Sequence, residues 1–164
     1  LYIAFAFRKV SEPVSSWFYG LFAIVALFHD VIIPLGVFSI LGHYWGVEVD
    51  TLFVTAILTV LGFSVHDTIV VYDRIRENLH LAKKETFEET VGKSLSQTIT
   101  RSINTSLTVV IVLLAVFFLG AQSTRYFALT LIIGIVAGTY SSIFIASPLL
   151  VTWNEHQQKR AGKK

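Results

Sequence analysis

The sequence predicts an all-α protein: a polytopic transmembrane helix bundle with four complete crossings and the end of a fifth. Three observations carry that expectation. Of the 164 residues, 54% are hydrophobic and 15% charged, against about 25% charged in an ordinary soluble domain. The apolar residues gather into runs that reach the roughly 20 residues needed to cross a bilayer. Twelve of the 13 Lys and Arg residues fall on one side when those runs are threaded alternately through a membrane, and only Arg125 falls on the other.

Residues 1–8 read as the end of a truncated helix. Leu1–Phe7 is apolar with no basic region before it, which is not the form of a signal peptide, so a longer native protein is expected. Ser11-Glu12-Pro13 marks a turn. The first full crossing spans 17–42 and contains His29, Asp30 and Pro34. Proline cannot donate to the carbonyl four residues back, so a kink is expected at the level of Asp30. The second crossing, 51–74, holds His66-Asp67 inside an otherwise apolar stretch. An acid at that depth costs about 2.5–3.5 kcal/mol on insertion scales and is a functional candidate by default.

A polar segment follows. In 77–99, Phe87, Val91, Leu95 and Ile99 recur every four residues, the spacing of an amphipathic helix on the cytoplasmic membrane surface or of a solvated linker. The third crossing is 101–120 and the fourth 126–153, joined by the tight turn Gly120-Ala121-Gln122-Ser123. Gly134, Gly138 and Ser142 make a small-residue stripe, continued at Ala146, that lets another helix approach closely. The tail, 154–164, is polar and basic and is expected to fray. With the basic ends placed inside, the C-terminus is cytoplasmic.

The chemistry expected of these residues is proton coupling. Gln97, Arg101, Asn104, Thr105 and Thr108 recur three or four residues apart and share a helical face. A polar stripe on a spanning helix turns to the protein interior or a wet cavity, and the expectation is that it meets Asp67. The pair is then either a static salt bridge or a switch whose proton affinity follows helix movement. Asp30, His66, Asn104 and Thr105 are further candidates for the proton path, although a histidine packed on a neighbouring helix is an equal reading of His66. Cysteine is absent, which excludes thiolate metal sites and cysteine nucleophiles. No Ser/His/Asp, metal-ligand or phosphate-loop spacing is present. No enzyme activity, metal, cofactor or nucleic-acid partner is expected.

With those residues in view, the chain resembles the SecF family of protein-export membrane subunits. The resemblance lies in Leu61–Asn78 (LGFSVHDTIVVYDRIREN), Lys84–Thr108, Gly134–Leu150 and the Leu27–Val31 run, in that order. His66 departs from the pattern, which commonly has Asn there. The resemblance implies an RND/SecDF-type bundle lacking its first helix and periplasmic domain. It implies a multi-pass protein of a bacterial or archaeal cytoplasmic membrane that works with SecD, the SecYEG channel and associated Sec components. Its implied role is to use the proton-motive force to promote preprotein export. It carries the proton-linked acid to Asp67, the partner arginine to Arg101, and a cytoplasmic motif to Asp73, Arg74, Arg76 and Glu77. An RND-type exporter of small molecules or lipids and a purely structural scaffold are the alternatives.

Overall fold

A computed structural model describes residues 14–81 and 85–161; the truncated helix 1–8 and the last residues of the tail, 162–164, lie outside the described residues. The described chain is helical: α1 (Ser16–Trp45), α2 (Thr51–Leu81), α3 (Phe87–Leu119), α4 (Gln122–Ser141), a π-helical turn (Ser142–Ala146) and α5 (Ser147–Ala161). Helix α4, the π-helical turn and α5 form one continuous rod, Gln122–Arg160. Four helices are thus long and apolar enough to cross a membrane, and they pack side by side as a bundle.

Local chemistry sets the ends. Gly46, with φ of 65°, caps α1 in the left-handed conformation that glycine adopts without a Cβ clash. The Asp50 carboxylate accepts the Phe53 backbone N–H at 2.9 Å as α2 begins. Helix α3 starts at a capping box: Thr86 accepts the Glu89 N–H, and Glu89 accepts the Thr86 N–H at 2.7 Å. Pro34 lies inside α1, which runs unbroken past it.

The π-helical turn has a cause in sequence. Pro148 supplies no N–H and its ring crowds the carbonyl of Phe144, four residues earlier. Widening the preceding turn relieves that crowding. The Ser147 hydroxyl donates to the Ser142 carbonyl at 3.0 Å, and the Tyr72 hydroxyl from α2 donates to the Ala146 carbonyl at 3.1 Å. Backbone acceptors that the wider turn leaves short are thereby partnered inside the bundle.

Two expectations about the polar parts change. Segment 77–99 is not one separate helix: α2 runs on to Leu81, and α3 takes Phe87 onward into the next crossing without a break. The face bearing Phe87 and Val91 is buried in the main apolar cluster with Val71, Tyr72, Ile75 and Leu150, and Leu95 packs against it. That stripe therefore covers the bundle end and is not offered to a membrane surface. The tail does not fray at 154 either. Helix α5 continues to Ala161, with Asn154 buried and a Lys159–Glu155 pair one turn apart at 3.7 Å.

Candidate functional site

The site is built on the contact between α2 and the α4–α5 rod, which run in parallel. A Cβ on Gly134 would lie 2.2 Å from Val60 Cγ2, and one on Gly138 would lie 3.0 Å from Ser64 Cβ. One turn further, Ser142 reaches Asp67, and the next turn brings Ala146 to Tyr72. Small residues at 134, 138, 142 and 146 thus seat α2 along its whole middle. The close approach brings short serine side chains within reach of carboxylates on the neighbouring helices.

Two buried acids result. The Asp67 carboxylate, 8% exposed, accepts the Ser102 hydroxyl of α3 on Oδ1 and the Ser142 hydroxyl on Oδ2, both at 2.7 Å. Asp30, fully enclosed, accepts two hydroxyls on Oδ2: Ser64 of α2, and Ser141 of α4 at 2.8 Å. Its other oxygen lies 3.0 Å from His29 Nδ1. Beside these, Ser106 and Thr139 join hydroxyls between α3 and α4, and the Ser106 hydroxyl returns to the Ser102 carbonyl at 2.8 Å. Asp67 is thus held in the bundle interior by neutral hydroxyl donors alone. Loss or gain of a proton there changes the charge of the site outright.

The expected polar stripe lies elsewhere. Arg101, Asn104, Thr105 and Thr108 are exposed on the outer face of α3. Among the described residues no ion pair joins Arg101 to Asp67. The residues of α3 that meet the bundle are Thr98, Ser102 and Ser106, an equally regular stripe turned about 100° from Arg101. Packing against α2 and α4 selects the face with the shorter side chains, because only those fit at so close a helix separation. His66 is exposed, with no hydrogen bond to Asp67 among the described residues. Gln97 leaves the stripe too. It accepts from Arg74 Nε at 2.6 Å and Asn78 Nδ2 at 2.8 Å.

That last contact belongs to a polar clasp at the basic end of α2. Asn78 also donates to the Ser94 hydroxyl at 2.8 Å, and Arg74 pairs with Glu77. Asp73 and Arg76 approach to 4.0 Å. The Asp73–Asn78 segment therefore ties the start of α3 to the end of α2. Sequence reasoning named its charged residues but missed Asn78 and Ser94, as it missed Ser64, Ser102 and Ser141 around the acids. Their signal was available: hydroxyls at Ser94, Thr98, Ser102 and Ser106 recur every four residues.

The family model described as "Protein export membrane protein SecD/SecF, C-terminal" matches residues 1–156. The chain belongs to the SecD/SecF family. The SecF subunit of Thermobaculum terrenum is 60% identical over 152 residues, covering 93% of this chain and 47% of that protein. The SecF subunit of Synechocystis is 50% identical over 137 residues, 84% of this chain and 44% of the relative. The crystal structure of SecDF in a super-membrane-facing form superposes with a TM-score of 0.86 at 41% identity, covering 99% of this chain and 21% of the SecDF chain. SecDF from Thermus thermophilus gives a TM-score of 0.82 at 42% identity, covering 94% of this chain and 20% of its own. The chain spans about half the length of the SecF relatives it matches. The SecDF-type helix bundle and the multi-pass membrane character follow from these likenesses together with the four long apolar helices.

Proposed function

We propose that this chain is the membrane motor part of a Sec protein-translocation subunit that, with a SecD partner, uses the proton-motive force to promote preprotein export. The observation that carries the reading is Asp67, a buried carboxylate of α2 that accepts hydroxyls from two other segments at once, α3 through Ser102 and the π-helical turn through Ser142. Family membership supports the export role, and the relatives named SecDF support a SecD association. The working environment is the cytoplasmic membrane, with the basic helix ends and the C-terminus inside. The role is mechanical, with no enzymatic step.

Protonating Asp67 removes the charge that holds the Ser102 and Ser142 hydroxyls, worth about 1.5–3 kcal/mol for each hydrogen bond to a charged group. A proton descending 100 mV supplies about 2.3 kcal/mol, enough to shift a two-state equilibrium about 50-fold. The wider π-helical turn beside Ser142 is a natural place for that shift to be taken up. Arg101 is the residue next to Ser102, so release of Ser102 frees α3 to turn toward its Arg101 face, where Asn104 and Thr105 lie. The Asp73–Asn78 clasp holds the cytoplasmic end of α2 to α3 while this happens. The motion reaches preprotein through parts of the SecF subunit outside this chain and through the SecYEG channel.

The test is gradient-driven export from vesicles containing the complete subunit, SecD and the channel. Asp67→Asn keeps the shape and removes the titration, so export loses its response to the gradient while the complex still assembles. Full gradient-driven export by an assembled Asp67→Asn complex would reject the motor. Arg101→Lys keeps the charge and loses the planar fork, and a partial loss is expected.

A further inference from the structure

The mechanism above uses Asp67 and leaves Asp30 without work. Asp30 is the more deeply enclosed of the two, and its surroundings have a chemistry that those of Asp67 lack. Oδ2 is occupied by two hydroxyl donors, Ser64 and Ser141. Oδ1 faces a nitrogen, Nδ1 of His29, at 3.0 Å. A contact of that length between a carboxylate oxygen and an imidazole nitrogen needs one proton between them. Either the acid is protonated and Nδ1 is bare, or the acid is ionised and Nδ1 carries the proton. Moving the proton from Oδ1 to Nδ1 creates a carboxylate beside an imidazolium and leaves the net charge of the pair unchanged. A bilayer interior tolerates such a transfer better than the charging of a lone acid.

The position of the pair ties it to Asp67. Ser64, which holds Asp30, precedes Asp67 by three residues on α2, one helical turn further from the basic end. Ser141 and Ser142 are neighbours on one helix and hold Asp30 and Asp67 respectively. Asp30 is enclosed, while the His29 side chain is 32% exposed, so the histidine links the acid to the lateral surface of the bundle at mid-span of α1. The ionisable groups facing Asp30 are few. Helix α1 presents His29; α2 presents Asp67, with His66 exposed; α4 presents Tyr140, whose ring lies 6.4 Å from the His29 ring. Helix α3 carries Arg101 on its exposed face, and the π-helical turn has no ionisable side chain.

We infer that His29–Asp30 is a second proton-binding site, coupled to Asp67 through Ser141, Ser142 and Ser64. The charge of either carboxylate then bears on the other through the shared serines. His29 takes the proton at the bundle surface and passes it to Asp30 Oδ1. The adjoining serines report the charge of Asp30 to the site that moves α3.

This inference rests on Asp67 being the proton-coupled acid, and the experiment separates the two. Infrared titration of the carboxyl stretch is followed in the complete SecF–SecD complex in proteoliposomes, together with gradient-driven export at varied outer pH. Asp30→Asn removes one titrating carboxyl and moves the midpoint of the other by about one pH unit. His29→Gln keeps a hydrogen-bonding side chain but cannot carry the proton. It slows export about a hundredfold and flattens its dependence on outer pH. An unmoved second midpoint in Asp30→Asn, or an unchanged rate and pH profile in His29→Gln, overturns the second site and leaves the Asp67 motor standing. Should Asp30→Asn fail to assemble, the half-exposed His29 variant decides alone. Full export by Asp67→Asn rejects the motor and the second site with it.

Discussion

The bundle carries the dipeptide His-Asp twice, at 29–30 on α1 and at 66–67 on α2, and treats the two copies differently. In the first, the histidine nitrogen reaches its neighbour's carboxylate at 3.0 Å and the acid is fully enclosed. In the second, the histidine is exposed and the acid is held by serines of α3 and the π-helical turn, one on each oxygen. The difference lies in what packs against each helix. Close approach of the small-residue face of α4 brings hydroxyls to both acids, while the direction each histidine takes follows from which side of its helix is left uncovered. Identical neighbours in sequence therefore have unlike chemistry: the first pair can hold a proton between two groups, and the second acid must take up or give up charge alone.

The largest expected effect comes from breaking the seat that both sites share. Gly134→Leu drives side-chain atoms into Val60, where even a Cβ would come within 2.2 Å. Over-packing of this kind costs typically 1–3 kcal/mol, and more where backbones cannot part. Thermal unfolding in detergent should fall well below that of the unaltered chain, with both carboxyl environments lost together. A variant that keeps its melting temperature would show that α2 and α4 do not depend on this approach.

Single hydroxyls separate the two sites. Ser142→Ala removes one of the two hydroxyl donors to Asp67, and Ser141→Ala removes one of the two hydroxyl donors to Asp30, which also keeps His29. Each should destabilise the bundle by about 1–3 kcal/mol. Ser142→Ala should disturb only the Asp67 carboxyl band, and Ser141→Ala chiefly that of Asp30. Equal spectral changes at both acids in both variants would show that the two sites do not differ in this way. A smaller loss, about 1 kcal/mol, is expected for Thr86→Ala, which removes the capping box of α3 far from either acid. Its unfolding midpoint should drop slightly while both carboxyl bands stay in place.

The smallest effect on stability should come from Arg101→Ala. The side chain is exposed and pairs with no acid among the described residues, so the change should fall within about 0.5 kcal/mol. Gradient-driven export, in contrast, should drop sharply in the assembled complex. A large stability loss would instead mark Arg101 as a structural tie, whereas full export would remove it from the proton mechanism.

Much of this protein was legible in the amino-acid order. Hydropathy and the placement of Lys and Arg gave four spans, since bilayer thickness and backbone hydrogen bonding leave a helix few alternatives. The spacing of Gly134, Gly138, Ser142 and Ala146 marked a face for close approach, and two acids in apolar runs marked where chemistry belongs. What could not be read was rotation. Helix α3 carries two polar stripes of nearly equal regularity, one through Arg101 and Asn104 and the other through Thr98, Ser102 and Ser106. Periodicity assigns each to a face but cannot say which face turns inward. That choice was made by packing, because the short serines admit α2 and α4 at a separation the arginine would block. Only the tertiary structure could therefore put Ser102 rather than Arg101 on Asp67 and hand Asp30 a histidine. The same packing also buried the Phe87 and Val91 stripe within the bundle. Sequence determined that the membrane would hold buried acids; tertiary contact decided what each acid touches.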